Sequence, residues 1–272
     1  MIKVKVLLSS CLLLLSMIAF SQKITTSFSV GYGGGLAKQD FDFSRTRTAS
    51  TDVRQNEQYS LGKGLQVNGS IGFILSENLE AELAIGYLMG GKTQAIDLDS
   101  RDPLAIVKDE HTISGKMLSF APGFVFRSNP MGSLQPYGKL AVVLASPTIK
   151  EDFYSSDAGN LSTFQATWKY NGGMATGFSG AAGVTFKMGK INLFSELFIT
   201  SLAYSPKKGE MTVLTINGVD NLANLNVIDK QVIFVSTLDR NANIPNSSPD
   251  QVLKTYSPFS NSGLRVGVQL TF

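Results

Sequence analysis

The chain has 272 residues, 43% hydrophobic and 17% charged, with 24 Lys and Arg against 21 Asp and Glu for a net charge of +3. A near-neutral chain with no basic block gives no reason to expect nucleic acid as a partner. The single cysteine, Cys11, lies in a segment expected to be removed, which excludes disulfides, Cys-based metal sites and Cys nucleophiles from the mature chain.

Residues 1–21 read as a signal peptide. Lys3 and Lys5 form a short positive start, Val6 to Phe20 is almost wholly apolar, and Ala19-Phe20-Ser21 offers a small-x-small cleavage site before Gln22. Read instead as a transmembrane helix, the run is short and no charged stop-transfer cluster follows it. Leu8-Ser9-Ser10-Cys11 resembles a lipoprotein lipobox, but few apolar residues precede it and the apolar run continues from Leu12 to Leu15. Cleavage removes the two lysines and lowers the net charge by two. Beyond this segment no apolar run approaches the length of a spanning helix, so a membrane-embedded mature chain must be a closed barrel.

The rest, 22–272, alternates apolar and polar residues with a period of two, which predicts strands. The first spans about 25–36. From Gly62, Leu65, Val67, Ile71, Phe73 and Leu75 share the apolar face of the second. In the third, Leu79, Ala81, Leu83, Ile85 and Tyr87 oppose Glu80, Glu82, Ala84 and Gly86. The fourth and fifth span about 112–127 and 134–148, the fifth with a weaker pattern because Ala141 to Leu144 is apolar on both faces. The sixth, about 173–188, places Met174, Phe178, Val184 and Phe186 opposite small residues. After the seventh, about 191–204, the eighth sets Leu264, Val266, Val268, Leu270 and Phe272 against Gly263, Arg265, Gly267, Gln269 and Thr271.

The connections alternate strictly in length. Ser76-Glu77-Asn78, Ser128 to Ser133 and a turn near Gly189-Lys190 are short. About 37–61, 93–111, 149–172 and 205–260 are long and polar. Short periplasmic turns and long extracellular loops are the arrangement of outer-membrane barrels, and this one leaves both termini periplasmic. A soluble lipocalin-like barrel is the competing reading. It needs a solvated face rich in Lys and Glu, whereas the polar face here is mainly Gly, Ala, Ser, Asn and Gln, which suits a narrow interior. The expectation is therefore an all-β, eight-stranded antiparallel up-and-down transmembrane β-barrel in the outer membrane of a Gram-negative bacterium, in contact with outer-membrane lipid. Two runs in the last loop, Met211 to Ile216 and Val232 to Val235, leave ten strands open. They are short for spans and otherwise extend the flanking strands or form a separate hairpin.

The pattern resembles the OmpA/OmpX-type small outer-membrane barrels, of the broad porin-like outer-membrane β-barrel family, over nearly all of 22–272. Its most specific part is Gly263-Leu-Arg-Val-Gly-Val-Gln-Leu-Thr-Phe272, similar to the C-terminal signal that the barrel assembly machinery recognises. The resemblance makes Phe272 the recognition residue. Leu134-Gln-Pro-Tyr-Gly138 resembles a recurrent strand opening, and the long last loop departs from the pattern.

Seven charges fall on the inward face: Glu80, Glu82, Arg127, Lys139, Lys187, Glu196 and Arg265. Both signs occur at comparable depth, so mutual neutralisation is the simplest account, with a selective water path or paired-carboxylate catalysis as alternatives. Phe73, Phe124, Phe126, Phe186 and Phe272 toward the short turns, with Tyr59, Tyr87, Trp168 and Tyr170 toward the long loops, suggest two aromatic girdles. Gly31-Tyr-Gly-Gly-Gly35 lacks the helix that a phosphate-binding loop requires and reads as a narrowing wall. The sole histidine, His111, reads as a solvated loop residue. Ser114, three residues on, falls on the opposite strand face, so the family's His-x-Ser pairing is absent. No catalytic residue, metal site or cofactor is expected. The predicted protein is a monomeric, non-enzymatic barrel with a structural or surface-recognition role and a plugged lumen, the alternatives being a narrow channel for small solutes or a lipid-modifying enzyme.

Overall fold

The computed structural model describes residues 23–239 and 243–272, so the expected signal peptide, Cys11 and the Ser21 cleavage site lie outside the described residues. In chain order the strands are β1 (Ile24–Gly35), β2 (Gln39–Arg47), β3 (Asp52–Tyr59), β4 (Gly64–Ser76), β5 (Leu79–Gly90), β6 (Thr93–Asp99), β7 (Val107–Arg127) and β8 (Leu134–Asp157). They continue as β9 (Ser162–Asn171), β10 (Ala175–Met188), β11 (Ile191–Tyr204), β12 (Lys208–Ile216), β13 (Val219–Asp220), β14 (Gln231–Val235), β15 (Asp250–Leu253), β16 (Ser257–Pro258) and β17 (Asn261–Thr271). Helix is almost absent, and among the described residues none is long and apolar enough to cross a membrane.

Antiparallel ladders link β1 to β4, β4 to β5, β5 to β7, β7 to β8, β8 to β10, β10 to β11 and β11 to β17, and β17 returns to β1. Each of these strands is paired on both edges, which leaves no open edge in the ring. They correspond to the eight alternating segments. Ser76 pairs with Leu79 across a two-residue turn, and Gly189, with φ of 80°, makes the turn into β11. Because β11 pairs directly with β17, neither Met211–Ile216 nor Val232–Val235 stands between them.

The long connections are not simply loops, which is why the described chain holds 17 strands rather than eight. β7 and β8 have 21 and 24 residues, and they outrun their ring partners β5 and β10. Their ladder continues to Val107 opposite Asp157, leaving two edges of unpaired N–H and C=O groups. Loop strands satisfy those edges. β6 adds to β7, β2 pairs parallel to β6 and β3 pairs with β2; on the other side follow β9, β12, β14 and β15. This outer sheet caps the long-loop end of the ring.

Candidate functional site

The ring's exposure pattern is inverted relative to a soluble sheet. Leu264, Val266 and Val268 are exposed on β17, as are Phe28 on β1, Ile71 on β4, Ile85 on β5 and Leu197 on β11, while Glu80 and Glu196 are buried. The interior has two storeys, one ionic and one apolar.

Six of the seven expected charges meet in the ionic storey, between the short-turn end and the middle of the ring. Glu80 on β5 accepts hydrogen bonds from Arg127 Nε (3.1 Å) and Nη2 (2.6 Å) on β7, and from Thr25 Oγ1 on β1. Glu82 accepts from Ser70 Oγ at 3.0 Å and from Lys139 Nζ at 3.1 Å. Lys139 Nζ also lies 3.5 Å from Glu196 Oε2, which accepts the Tyr137 hydroxyl at 2.7 Å. Arg265 Nη1 approaches the other oxygen of Glu196 at 3.3 Å. Three carboxylates face three cations, so every buried charge has a counter-charge and the desolvation cost is offset within the cluster. Arg265 also sits over the Phe198 ring, 4.6 Å from its centroid, where the negative ring face favours the guanidinium.

Glycine makes the room. A Cβ on Gly31 would come within 2.8 Å of the Leu264 carbonyl and 3.1 Å of Arg265 Cβ, and one on Gly183 within 2.7 Å of Glu196 Cβ. Only hydrogen fits opposite these side chains in so narrow a wall. Lys187 does not join the cluster. It shares a strand face with buried Thr185 but lies past the rim beside the Gly189 turn, where water solvates it, and it has no ion pair among the described residues.

The apolar storey lies at the long-loop end. Leu61, just before β4, and Phe259, just before β17, are 1% and 0% exposed and pack against Leu88, Ile113, Met117, Val143 and Leu202. Leu61 N–H donates to the Pro258 carbonyl (2.9 Å), Phe259 N–H to that of Leu202 (3.0 Å), and Asn261 Nδ2 to that of Gly62 (2.9 Å). Val143 in this plug explains why Ala141 to Leu144 is apolar on both faces. Between the storeys lies a cavity of about 80 Å³ bordered by Asn68, Ser119, Glu196, Thr200, Asn261 and Arg265, a volume that fits a few waters.

His111 is not a solvated loop residue. It lies on β7 beyond Lys116, where the ring partner β5 ends, half-buried between the Phe41 and Phe153 rings at 4.2 and 4.1 Å. Nδ1 is 3.0 Å from Asp42 Oδ2 on β2, and Nε2 is 3.9 Å from Glu151 Oε2 on β8, an ion-pair distance rather than a hydrogen bond. Burial opposes the charged ring, but the two carboxylates outweigh it and hold the His111 pKa above its ordinary value. No hydroxyl nucleophile is paired with the imidazole among the described residues.

The aromatic arrangement is also partly different. Phe73, Phe124, Phe126, Phe186, Phe272 and Tyr87 are exposed on the ring exterior. Tyr59 instead packs on Phe41 against the plug, and Trp168 and Tyr170 belong to β9 of the outer sheet, outside the ring. The outer-sheet strands fall within connections that read as long polar loops, which is why alternation alone places these three aromatics at the ring's edge.

No family model and no curated protein matches the chain. Among solved structures it is similar to Neisserial surface protein A at 8% identity, over 92% of this chain and 97% of that one, with a TM-score of 0.41. A major outer membrane protein from Thermus thermophilus aligns at 11% identity over 93% and 100% of the two chains, with a TM-score of 0.37. Ail, the attachment invasion locus protein of Yersinia pestis, solved with the heparin analogue sucrose octasulfate, aligns at 12% identity over 92% and 99%, with a TM-score of 0.30.

Proposed function

We propose that the chain is an integral outer-membrane β-barrel of eight spanning strands with a closed lumen, a non-catalytic scaffold that displays its outer sheet on the cell surface. The observation that carries this reading is the inverted exposure of the ring, with large apolar side chains outside and paired charges inside. In water, that many exposed apolar side chains on one continuous belt would drive aggregation; in hydrocarbon they are at home. Ring strands β1, β4, β5, β10, β11 and β17 hold 11 to 14 residues, enough for a tilted crossing. On this reading the short turns and both termini are periplasmic, and the C-terminal strand engages the barrel assembly machinery.

The plug of Leu61 and Phe259 above the ion-paired storey favours display over conduction. Mature protein refolded into detergent or lipid should be rich in β-structure, migrate differently on gels with and without boiling, and give no steady conductance in planar bilayers. A stable, water-soluble monomer in the absence of detergent would overturn the membrane reading, and open-state conductance of the unmodified protein would replace the plug with a channel.

A further inference from the structure

At the outer sheet the last long connection folds over β9 and borders an open cavity of about 420 Å³. Three aromatic rings line it. Trp168 and Tyr170 stand on one face of β9 with ring planes 7° apart and centroids 6.1 Å apart, and Phe234 of β14 meets Tyr170 edge-on at 5.9 Å. Its rim is acidic, with Glu151 from β8, Asp229 and Asp250. The Glu151 carboxylate is shared with the Tyr170 hydroxyl (3.3 Å) and His111, whereas Asp229 and Asp250 have no cationic partner among the described residues. Lys230 and Lys254 are close in sequence but do not line the cavity, and Lys254 donates to Ser236.

The cavity therefore brings three aromatic rings together with two carboxylates that no cation of the described chain neutralises. We infer that it is a binding site for an organic cation, a ligand carrying an alkyl- or aryl-ammonium group. The ring faces supply quadrupole attraction and apolar contact to such a group, and Asp229 and Asp250 supply the counter-charge. An anionic ligand would meet like charge on this rim, and a neutral one would leave the carboxylates unused. The site stands whether or not the ring spans a membrane.

Trp168 is the sole tryptophan of the chain, so its emission reports directly on the cavity. The test is titration of folded protein with phenyltrimethylammonium, with tert-butylbenzene as the neutral probe of the same shape. The cation should change Trp168 fluorescence saturably, and added salt should weaken its binding. The D229N/D250N variant should bind roughly tenfold more weakly or not at all. Asp229 is exposed, and Asn at 250 keeps an acceptor for the Gln251 N–H, so the variant should fold; unchanged Trp168 emission without ligand checks this. Equal binding of the neutral probe, full affinity in the variant, or no saturable response would each overturn the proposal.

Discussion

Glu196 and Arg265 are direct partners across the β11–β17 ladder, and their side chains meet inside the ring with 3.3 Å between Oε1 and Nη1. The pair is not isolated. Glu196, with a side chain 0% exposed, also holds Lys139 and the Tyr137 hydroxyl on its second oxygen, so three donors depend on one carboxylate. Arg265 makes a single approach rather than a two-pronged fork.

That asymmetry sets the first prediction. Glu196→Ala leaves Arg265 without a carboxylate and the Tyr137 hydroxyl without its acceptor, while Lys139 keeps Glu82, and should cost about 3–5 kcal/mol in urea unfolding from lipid or detergent. Arg265→Ala should cost less, because Glu196 keeps Lys139 and Tyr137. The double mutant should be clearly sub-additive. Strict additivity would show that the two are not coupled.

The second prediction concerns the plug. Phe259→Ala and Leu61→Ala remove fully buried apolar volume where the loops close the ring, so each should cost about 2–5 kcal/mol. If the plug seals the path, the double variant should also conduct small ions intermittently in planar bilayers while the parent stays silent. Loss of stability with no change in conductance would mean that the ionic storey alone blocks the path.

The ring was legible in the sequence because all but one of its strands alternate clearly and its short turns carry Asn, Pro and Gly. Which face is inward was legible too, since charges and glycines share it. Pairings within the cluster were not. Lys139 on β8 reaches Glu82 on β5 and Glu196 on β11, neither on an adjacent strand, and such contacts depend on the stagger of the ring rather than on spacing along the chain. The outer sheet was mostly hidden because its strands are short and lie inside long polar connections, where only Met211–Ile216 and Val232–Val235 stood out as β-like runs. Its clearest signal is Asn217-Gly218, both at positive φ (53° and 77°), the two-residue turn joining β12 to β13. The plug residues Leu61 and Phe259 stand singly among polar neighbours, and only the two-sided apolar stretch Ala141 to Leu144 hinted at an apolar storey.

The third prediction follows from His111. Its pKa is raised in the folded state, so its stabilisation of the outer sheet is fully present below the ordinary histidine value near 6.5 and is lost as pH rises through the raised value. It is the sole histidine, so no second imidazole confuses the window. Protease resistance and amide-exchange protection of the outer sheet should fall as pH rises above about 6.5, and His111→Gln should flatten that profile. An identical profile in the variant would sink the assignment.

The last prediction separates assembly from stability at the C-terminus. Phe272 donates its backbone N–H to the Ile24 carbonyl at 2.9 Å, while its side chain is 73% exposed on the ring exterior. The side chain therefore contributes little to packing within the chain. Phe272→Ala keeps the backbone bond and should change unfolding stability by less than about 1 kcal/mol. Deleting the residue removes the bond as well and should cost about 0.5–1.5 kcal/mol more. If the aromatic end is what the assembly machinery recognises, both variants should insert slowly in cells and accumulate as protease-sensitive periplasmic chain under high expression. Both should nevertheless refold into detergent almost as the parent does. Slow insertion with near-parental refolding in vitro would assign the residue to recognition. A matching defect in both assays would make it a structural residue of the closing strand, and normal insertion of Phe272→Ala would remove the recognition role altogether.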